Sequence, residues 1–437
     1  MPLKTNLFKM TTLSIADTII LKILATLAFA IVTHLLPIEH IGIIGVTTGY
    51  LVFFRLISIA PESILFRDLP KIKNKLSEYL SAFTIFWMLK TIILMALAGI
   101  FSYVLFLIYG NILASAYFFG TVFIFSLGTF HGIGKETLLI SFKQGIAVKF
   151  SLILSVLTVA LTFLLFFSPT LISYLYIVIV ANLIAAVTWF YLLKKHLSFS
   201  FKKTKDTFKI INYSIKSFAI WLHIGGSMFS VMLTIDVLIL SFFATLGVVG
   251  DYTIALTVSN FFFVVPMLLQ KSTTIGLSNI SDKKTAHKAI NMSIKYCFFL
   301  SAIQMVFFIV FGKLIISIFT QNNIDTIYLY SLLIIAGINI LNVFRPLHSI
   351  TVTKIEVSKH VKFVIFPTIV ISVASYILLT ILYGPVGTAA GNIVAYGSFA
   401  ALLVIFIKKE YPMKFEFKLI TAEEKELIKS IKIKIFG

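Results

Sequence analysis

The stretch Ile41-Gly42-Ile43-Ile44-Gly45 is followed sixteen residues later by Pro61, and Leu246-Gly247-Val248-Val249-Gly250 is followed at the same interval by Pro266. The two copies are offset by 205 residues throughout. Each opens a long apolar run, and a helix of about 20 such residues crosses a hydrocarbon core of about 30 Å. These runs are the second and the eighth of twelve, so both copies enter the membrane from the same side. A repeat in parallel orientation predicts two six-helix halves related by an axis along the membrane normal.

The twelve runs read as 12–36, 41–60, 80–109, 112–131, 146–168, 171–193, 215–243, 248–270, 290–312, 325–345, 361–383 and 386–407. Turn residues separate them: Pro37, Gly110-Asn111, Ser168-Pro169, Gln321-Asn322-Asn323 and Gly384-Pro385. The composition agrees. Of 437 residues 59% are hydrophobic and 12% charged, with a mean hydropathy of +1.03, against about 45–50% and about 25% for a soluble domain. That excludes a cytosolic enzyme and a disordered chain. The single cysteine, Cys297, excludes an internal disulfide. The expected fold is an all-α integral membrane protein of about twelve transmembrane helices, in two six-helix lobes around a central cavity. The lobes are expected at 1–195 and 215–410, joined by a basic cytoplasmic linker at 196–214 and followed by an amphipathic tail at 411–437. The first run is long enough to span and lacks a small-residue cleavage site, so it reads as a span rather than a cleavable signal peptide.

The net charge of +20 is distributed by topology. Alternate connections hold 33 of the 37 lysines and arginines, among them Lys135 in the 4–5 loop and Arg345 in the 10–11 loop, whereas the opposite loops hold only Lys313. The positive-inside rule then puts both termini in the cytoplasm. A solvated basic face accounts for the charge without nucleic acid.

Three cations sit deep inside the runs of the first half: Lys22, Arg55 and Lys90. Each costs at least roughly 2.5–3.5 kcal/mol at the centre of a helix in lipid. None has an acid on its own helical face. Asp17 precedes Lys22 by five residues, which is about 140° round the helix. The reading is a wet cationic cavity that admits an anionic group. Asp17, Asp236 and His223 are candidates for an ion-coupling site. No histidine spacing gives a metal ligand set, no catalytic constellation is present, and the outer loops are too short to carry one. A non-enzyme without cofactors is expected.

Several stretches resemble the polysaccharide-unit flippases of the Wzx type, within the multidrug/oligosaccharidyl-lipid/polysaccharide (MOP) transporter superfamily. They are Leu36-Pro37-Ile38-Glu39-His40-Ile41-Gly42, Phe130-His131-Gly132-Ile133-Gly134-Lys135, Asp236-Val237-Leu238-Ile239-Leu240 with Gly250-Asp251-Tyr252-Thr253-Ile254-Ala255, and Tyr383-Gly384-Pro385-Val386-Gly387-Thr388-Ala389-Ala390. An arginine is frequent in the family where this chain has His131, so no role is carried to that position. The resemblance implies movement of an undecaprenyl-diphosphate-linked oligosaccharide from the cytoplasmic to the outer leaflet of the plasma (inner) membrane. It also implies a polysaccharide polymerase and glycosyltransferases as partners in the same pathway. A cationic first-lobe cavity is a family trait, matched here by type at Lys22, Arg55 and Lys90. The alternatives are a cation-coupled drug or metabolite antiporter of the multidrug extrusion (MATE) branch, which would want acids in the cavity, and a membrane polymerase or ligase.

The topology is checked with fusion reporters. Fusions after Lys205, Lys283 or Gly437 are expected to report cytoplasm, and fusions near Asn111, Gly247 or Asn322 the outer side. One consistent inversion overturns the assignment.

Overall fold

A computed structural model describes residues 3–65, 75–141, 143–197, 199, 206–216, 220–278, 280 and 282–413. Most of the expected 411–437 tail, from 414 on, therefore lies outside the described residues, as does the 201–205 part of the linker. Every regular element among the described residues is helical: α1 (Leu3–Leu35), α2 (Ile38–Ile57), α3 (Leu76–Tyr109), α4 (Ile112–Ile140), α5 (Gln144–Thr162), α6 (Leu171–Leu197), the short α7 (Thr207–Ser214), α8 (Ile220–Ser241), α9 (Leu246–Ser259), α10 (Val264–Ser278), α11 (Lys283–Ser317), α12 (Ile324–Thr353), the one-turn α13 (Val357–His360) and α14 (Phe366–Glu410). Short 3₁₀ turns follow α2 at Pro61–Ile64 and join α9 to α10 at Asn260–Phe263.

Among the described residues eleven continuous stretches are long and apolar enough to cross a membrane. The last of them, Val357–Glu410, is two spans. Gly384 inside it has φ 59° and ψ −144°, a conformation only glycine adopts without strain, and Pro385 follows. This is the turn expected between 361–383 and 386–407, so the expected twelve spans are present and the chain is a multi-pass membrane protein. Other boundaries also follow from residue chemistry. Gly110 ends α3 in the left-handed region, and Asn111 caps α4 by accepting from the Ala114 N–H at 3.0 Å. Asp282 caps α11 by accepting from Lys284 and Thr285, and the hydrogen bonds from Thr285 hold its carboxyl below the usual range.

Hydrophobicity runs outward as well as inward. On α11 the side chains of Ile303, Val306, Val310 and Leu314 are all exposed and recur every three to four residues. They form one apolar stripe. In water such a face would aggregate; in a bilayer it meets lipid.

Helices α1 to α6 pack among themselves through α3–α4, α4–α6 and α1–α5, and α8 to α14 through α12–α14, α11–α12 and α8–α14. The two groups meet along α2, which packs against both α8 and α9. The repeated glycines lie at that seam. A Cβ on Gly42 would land on the carbonyl oxygen of Leu246, and one on Gly250 would land on the carbonyl oxygen of Ile38. The two copies of the repeat therefore pack on each other, backbone against backbone. A side-chain bond adds to the seam: His34 Nε2 lies 2.8 Å from the Ile318 carbonyl oxygen. At the other end of α2, His223 and Ser227 of α8 contact the carbonyl oxygens of Leu56 and Arg55 at 3.0 and 3.2 Å.

Gly42→Ala is expected to hold α2 and α9 apart and to cost about 1–3 kcal/mol through forced backbone shifts. The measurement is disulfide formation between Ile38→Cys and Gly247→Cys, whose sites are adjacent across the seam. Crosslinking at undiminished yield in the Gly42→Ala background would contradict the packing.

Candidate functional site

Each membrane-embedded charge is positioned by a different helix. Lys22 on α1 and Arg55 in the last turn of α2 are half-buried. Among the described residues neither side chain has a hydrogen bond or an ion pair. Lys90, on α3, is buried and differs from the other two. Its Nζ donates to the Ile59 carbonyl oxygen at 3.3 Å and stands 5.9 Å from the centroid of the Phe86 ring. The Glu62 carboxyl lies within its electrostatic reach. Burial pushes that carboxyl up and the Lys90 charge pulls it back down. The expectation that none of the three cations has an acid is thus corrected for Lys90. The acid comes from the 3₁₀ turn Pro61–Ile64 after α2, and so from a different element than α3.

His223 reinforces the same junction. A carbonyl oxygen can only accept, so Nε2 carries the proton in the bond to Leu56 and His223 is not a free base there. It also lies within reach of the Lys90 charge. Arg55, Lys90, Glu62 and His223 therefore gather where the end of α2 meets the start of α8. No hydrogen bond, ion pair or electrostatic interaction among the described residues links Lys22 to them.

The two acids have different surroundings. Asp17 is buried, and its Oδ2 accepts from Lys135 Nζ at 2.7 Å. Its partner is therefore Lys135, not Lys22. The sequence reading ended the fourth span at residue 131 and counted Lys135 as loop, whereas α4 continues to Ile140. Asp236 on α8 has no exposure at all. Its Oδ1 accepts from the Val237 N–H at 2.9 Å, and its Oδ2 from the Tyr252 hydroxyl at 2.7 Å and Asn392 Nδ2 at 3.3 Å. The Tyr376 hydroxyl donates to Asn392 Oδ1 at 3.1 Å. Three helices, α8, α9 and α14, thus converge on one buried carboxylate with three donors.

One cation was missed. Arg345 was read as part of the 10–11 loop but lies inside α12, which runs through Pro346 to Thr353. Its Nε donates to Gln270 Oε1 at 2.6 Å, its guanidinium lies 5.4 Å from the Phe263 ring centroid, and Nη1 is buried without a hydrogen-bond partner among the described residues. The available signal was the apolar run continuing past residue 345.

No family model and no curated protein sequence matches the chain. Solved structures do match. An inward-facing MATE multidrug transporter of the MOP superfamily superposes with a TM-score of 0.65 at 14% identity, covering 95% of this chain and 96% of that one. The lipid II flippase MurJ in an inward closed conformation gives 0.60 at 15%, covering 99% and 93%. A MOP superfamily transporter from Pyrococcus furiosus, described as having a binding pocket of reversed polarity, gives 0.63 at 15%, covering 91% and 94%. At these identities the likeness establishes the architecture: the chain has the fold of the MOP-superfamily transporters.

The Asp17–Lys135 pair yields a stability prediction. The Asp17 and Lys135 side chains are 5% and 25% exposed, so Lys135→Gln strands a buried carboxylate and is expected to cost about 3 kcal/mol. The double variant Lys135→Met with Asp17→Asn is expected to regain most of it, read as the melting temperature of purified protein. Equal melting of Lys135→Gln and wild type would remove the pair from the structure's support.

Proposed function

We propose that the chain is a flippase that carries an undecaprenyl-diphosphate-linked oligosaccharide from the cytoplasmic to the outer leaflet of the plasma (inner) membrane by alternating access. In this reading residues 1–195 and 215–410 are the two moving lobes, both termini are cytoplasmic, and pathway glycosyltransferases and polymerase supply and consume the cargo. The observation that carries the reading is the pair of embedded cations without acids, Lys22 and Arg55, on a transporter fold. A cation left uncompensated in the membrane is unfavourable until an anion arrives, so relief of that cost contributes to binding a diphosphate. Arg55 can hold phosphate oxygens in bidentate fashion through its planar fork. Lys90, held beside Glu62, is the weaker ligand of the three. With the cell interior negative, each negative charge moved outward across the full field gains about 2.3 kcal/mol per 100 mV.

A second reading, cation-coupled antiport of a drug or metabolite, draws support from Asp236. A buried carboxylate with three donors and no neighbouring cation among those described can exchange a proton or a metal ion. Asp17 supports it less, since Lys135 already occupies it. His223 supports it less too, since its Nε2–H is committed to a carbonyl. In a flippase Asp236 would serve as the coupling group, so the two readings differ in cargo rather than in machinery.

The test replaces Lys22 and Arg55 separately by Gln and by Glu, with membrane abundance checked. Lipid-linked oligosaccharide is expected to accumulate on the inner leaflet, Glu more severely than Gln, with Arg55→Lys partly active. Normal export by both Gln variants at normal abundance would mean that the cations are structural, and the flippase reading would lose its support.

A further inference from the structure

The first helical group forms a partly open cavity of about 240 Å³ between α1, α4, α5 and α6. It is separate from the Arg55–His223 junction, and neither flipping nor ion coupling as described above uses it. It is smaller than the roughly 300–1,000 Å³ typical of sites for drug-sized ligands.

The polar groups on its wall define what it can hold. His131 Nε2 lies 3.0 Å from the Asn182 carbonyl oxygen. That bond needs the proton on Nε2, which leaves Nδ1 as an acceptor. The Asn182 amide nitrogen donates to the Val178 carbonyl oxygen at 2.8 Å, leaving Oδ1 as a second acceptor. The hydroxyls of Ser151 and Ser155 line the cavity and have no hydrogen-bond partner among the described residues. Lys135 Nζ uses one of its three protons on Asp17. Trp189 also borders the cavity, with most of its indole packed into the core.

The site is therefore polar without net charge. Its one cation is neutralised by Asp17, so it offers an anion little. The Asp17 carboxylate that pairs with Lys135 is not on the wall, and no other lining residue is acidic, so the site offers a cation little. What remains is an interleaved set of free donors and acceptors beside an indole. That set matches a neutral polyhydroxyl ring, with its hydroxyls at the polar groups.

We propose that this cavity binds a single sugar ring. The identity of the binder rests on the wall chemistry alone. Only the source of the sugar, the transported glycolipid rather than a free cytoplasmic sugar, rests on the flippase reading.

The experiment uses the full-length protein in lipid nanodiscs and saturation-transfer NMR with a panel of methyl hexosides and methyl N-acetylhexosaminides. Gly132 lines the cavity, and a Cβ placed there meets no atom within 4 Å, so Gly132→Phe is the variant chosen to fill the space. Ser155→Leu fills it from another helix. At least one glycoside is expected to give saturation transfer with wild type. Both filled variants are expected to weaken it at least tenfold while keeping the wild-type melting temperature, and Gly132→Ala is expected to retain it. If no glycoside in the panel binds, or if binding survives in both filled variants, the cavity is merely hydrated and the proposal is overturned.

Export measurements then separate the sources. Impaired glycolipid export in Gly132→Phe assigns the sugar to the cargo. Normal export with lost glycoside binding assigns it to a free sugar and leaves the cavity assignment standing. A wild-type protein that binds glycosides but moves no lipid-linked glycan would overturn the flippase reading without touching the cavity.

Discussion

The approach of α2 to α9 is the constraint on which the rest of the architecture hangs. Two helices can bring carbonyl oxygen against α-carbon only where a side chain is missing, and Gly42 and Gly250 supply that absence. Because α2 belongs to the first group of helices and α9 to the second, this contact sets how the halves sit at one membrane face. At the opposite end of α2, the seam continues in polar bonds from His223 and Ser227 to its last carbonyls. The same helix end carries Arg55 and leads into the turn that brings Glu62 to Lys90. One helix thus fixes both the relation of the two halves and the setting of the charges between them.

The seam differs in kind at its two ends. Glycine-on-carbonyl contact is steric and dispersive, and it is lost sharply once the helices part by an ångström or so. Hydrogen bonds from side chains to helix-terminal carbonyls tolerate more rotation and can be replaced by water. The glycine end therefore acts as a contact that is either made or broken. The His223 end can stay joined while the angle between α2 and α8 changes, which is the behaviour wanted at a pivot.

Much of this was legible in the sequence because a bilayer simplifies the problem. Backbone groups in lipid must be satisfied within the helix, so length and hydropathy nearly determine the spans, and Gly110-Asn111 and Gly384-Pro385 marked their ends directly. The repeat around Gly42 and Gly247 was visible too, although nothing in it said that the copies would touch. Charge at the ends of spans was harder. Hydropathy falls as soon as a helix leaves the hydrocarbon, so Lys135 and Arg345 were assigned to loops while α4 and α12 continued beneath them. Pairing was not legible at all. Asp17 meets Lys135 from a helix 118 residues away, Lys90 meets Glu62 across a turn, and Asp236 is held by Tyr252 and Asn392. Each depends on which faces the bundle turns inward.

Three turns on the Gly384 side are nearly devoid of spare chain. Pro37 alone separates α1 from α2 once Leu36 is passed, Gly110-Asn111 joins α3 to α4, and a single glycine breaks α14. Helices tethered so tightly cannot slide past their sequence neighbours at that face. They can only splay from it, as the blades of scissors move about a rivet. Rearrangement of these three pairs is thereby restricted to tilting, and each spreads widest at the opposite, basic face.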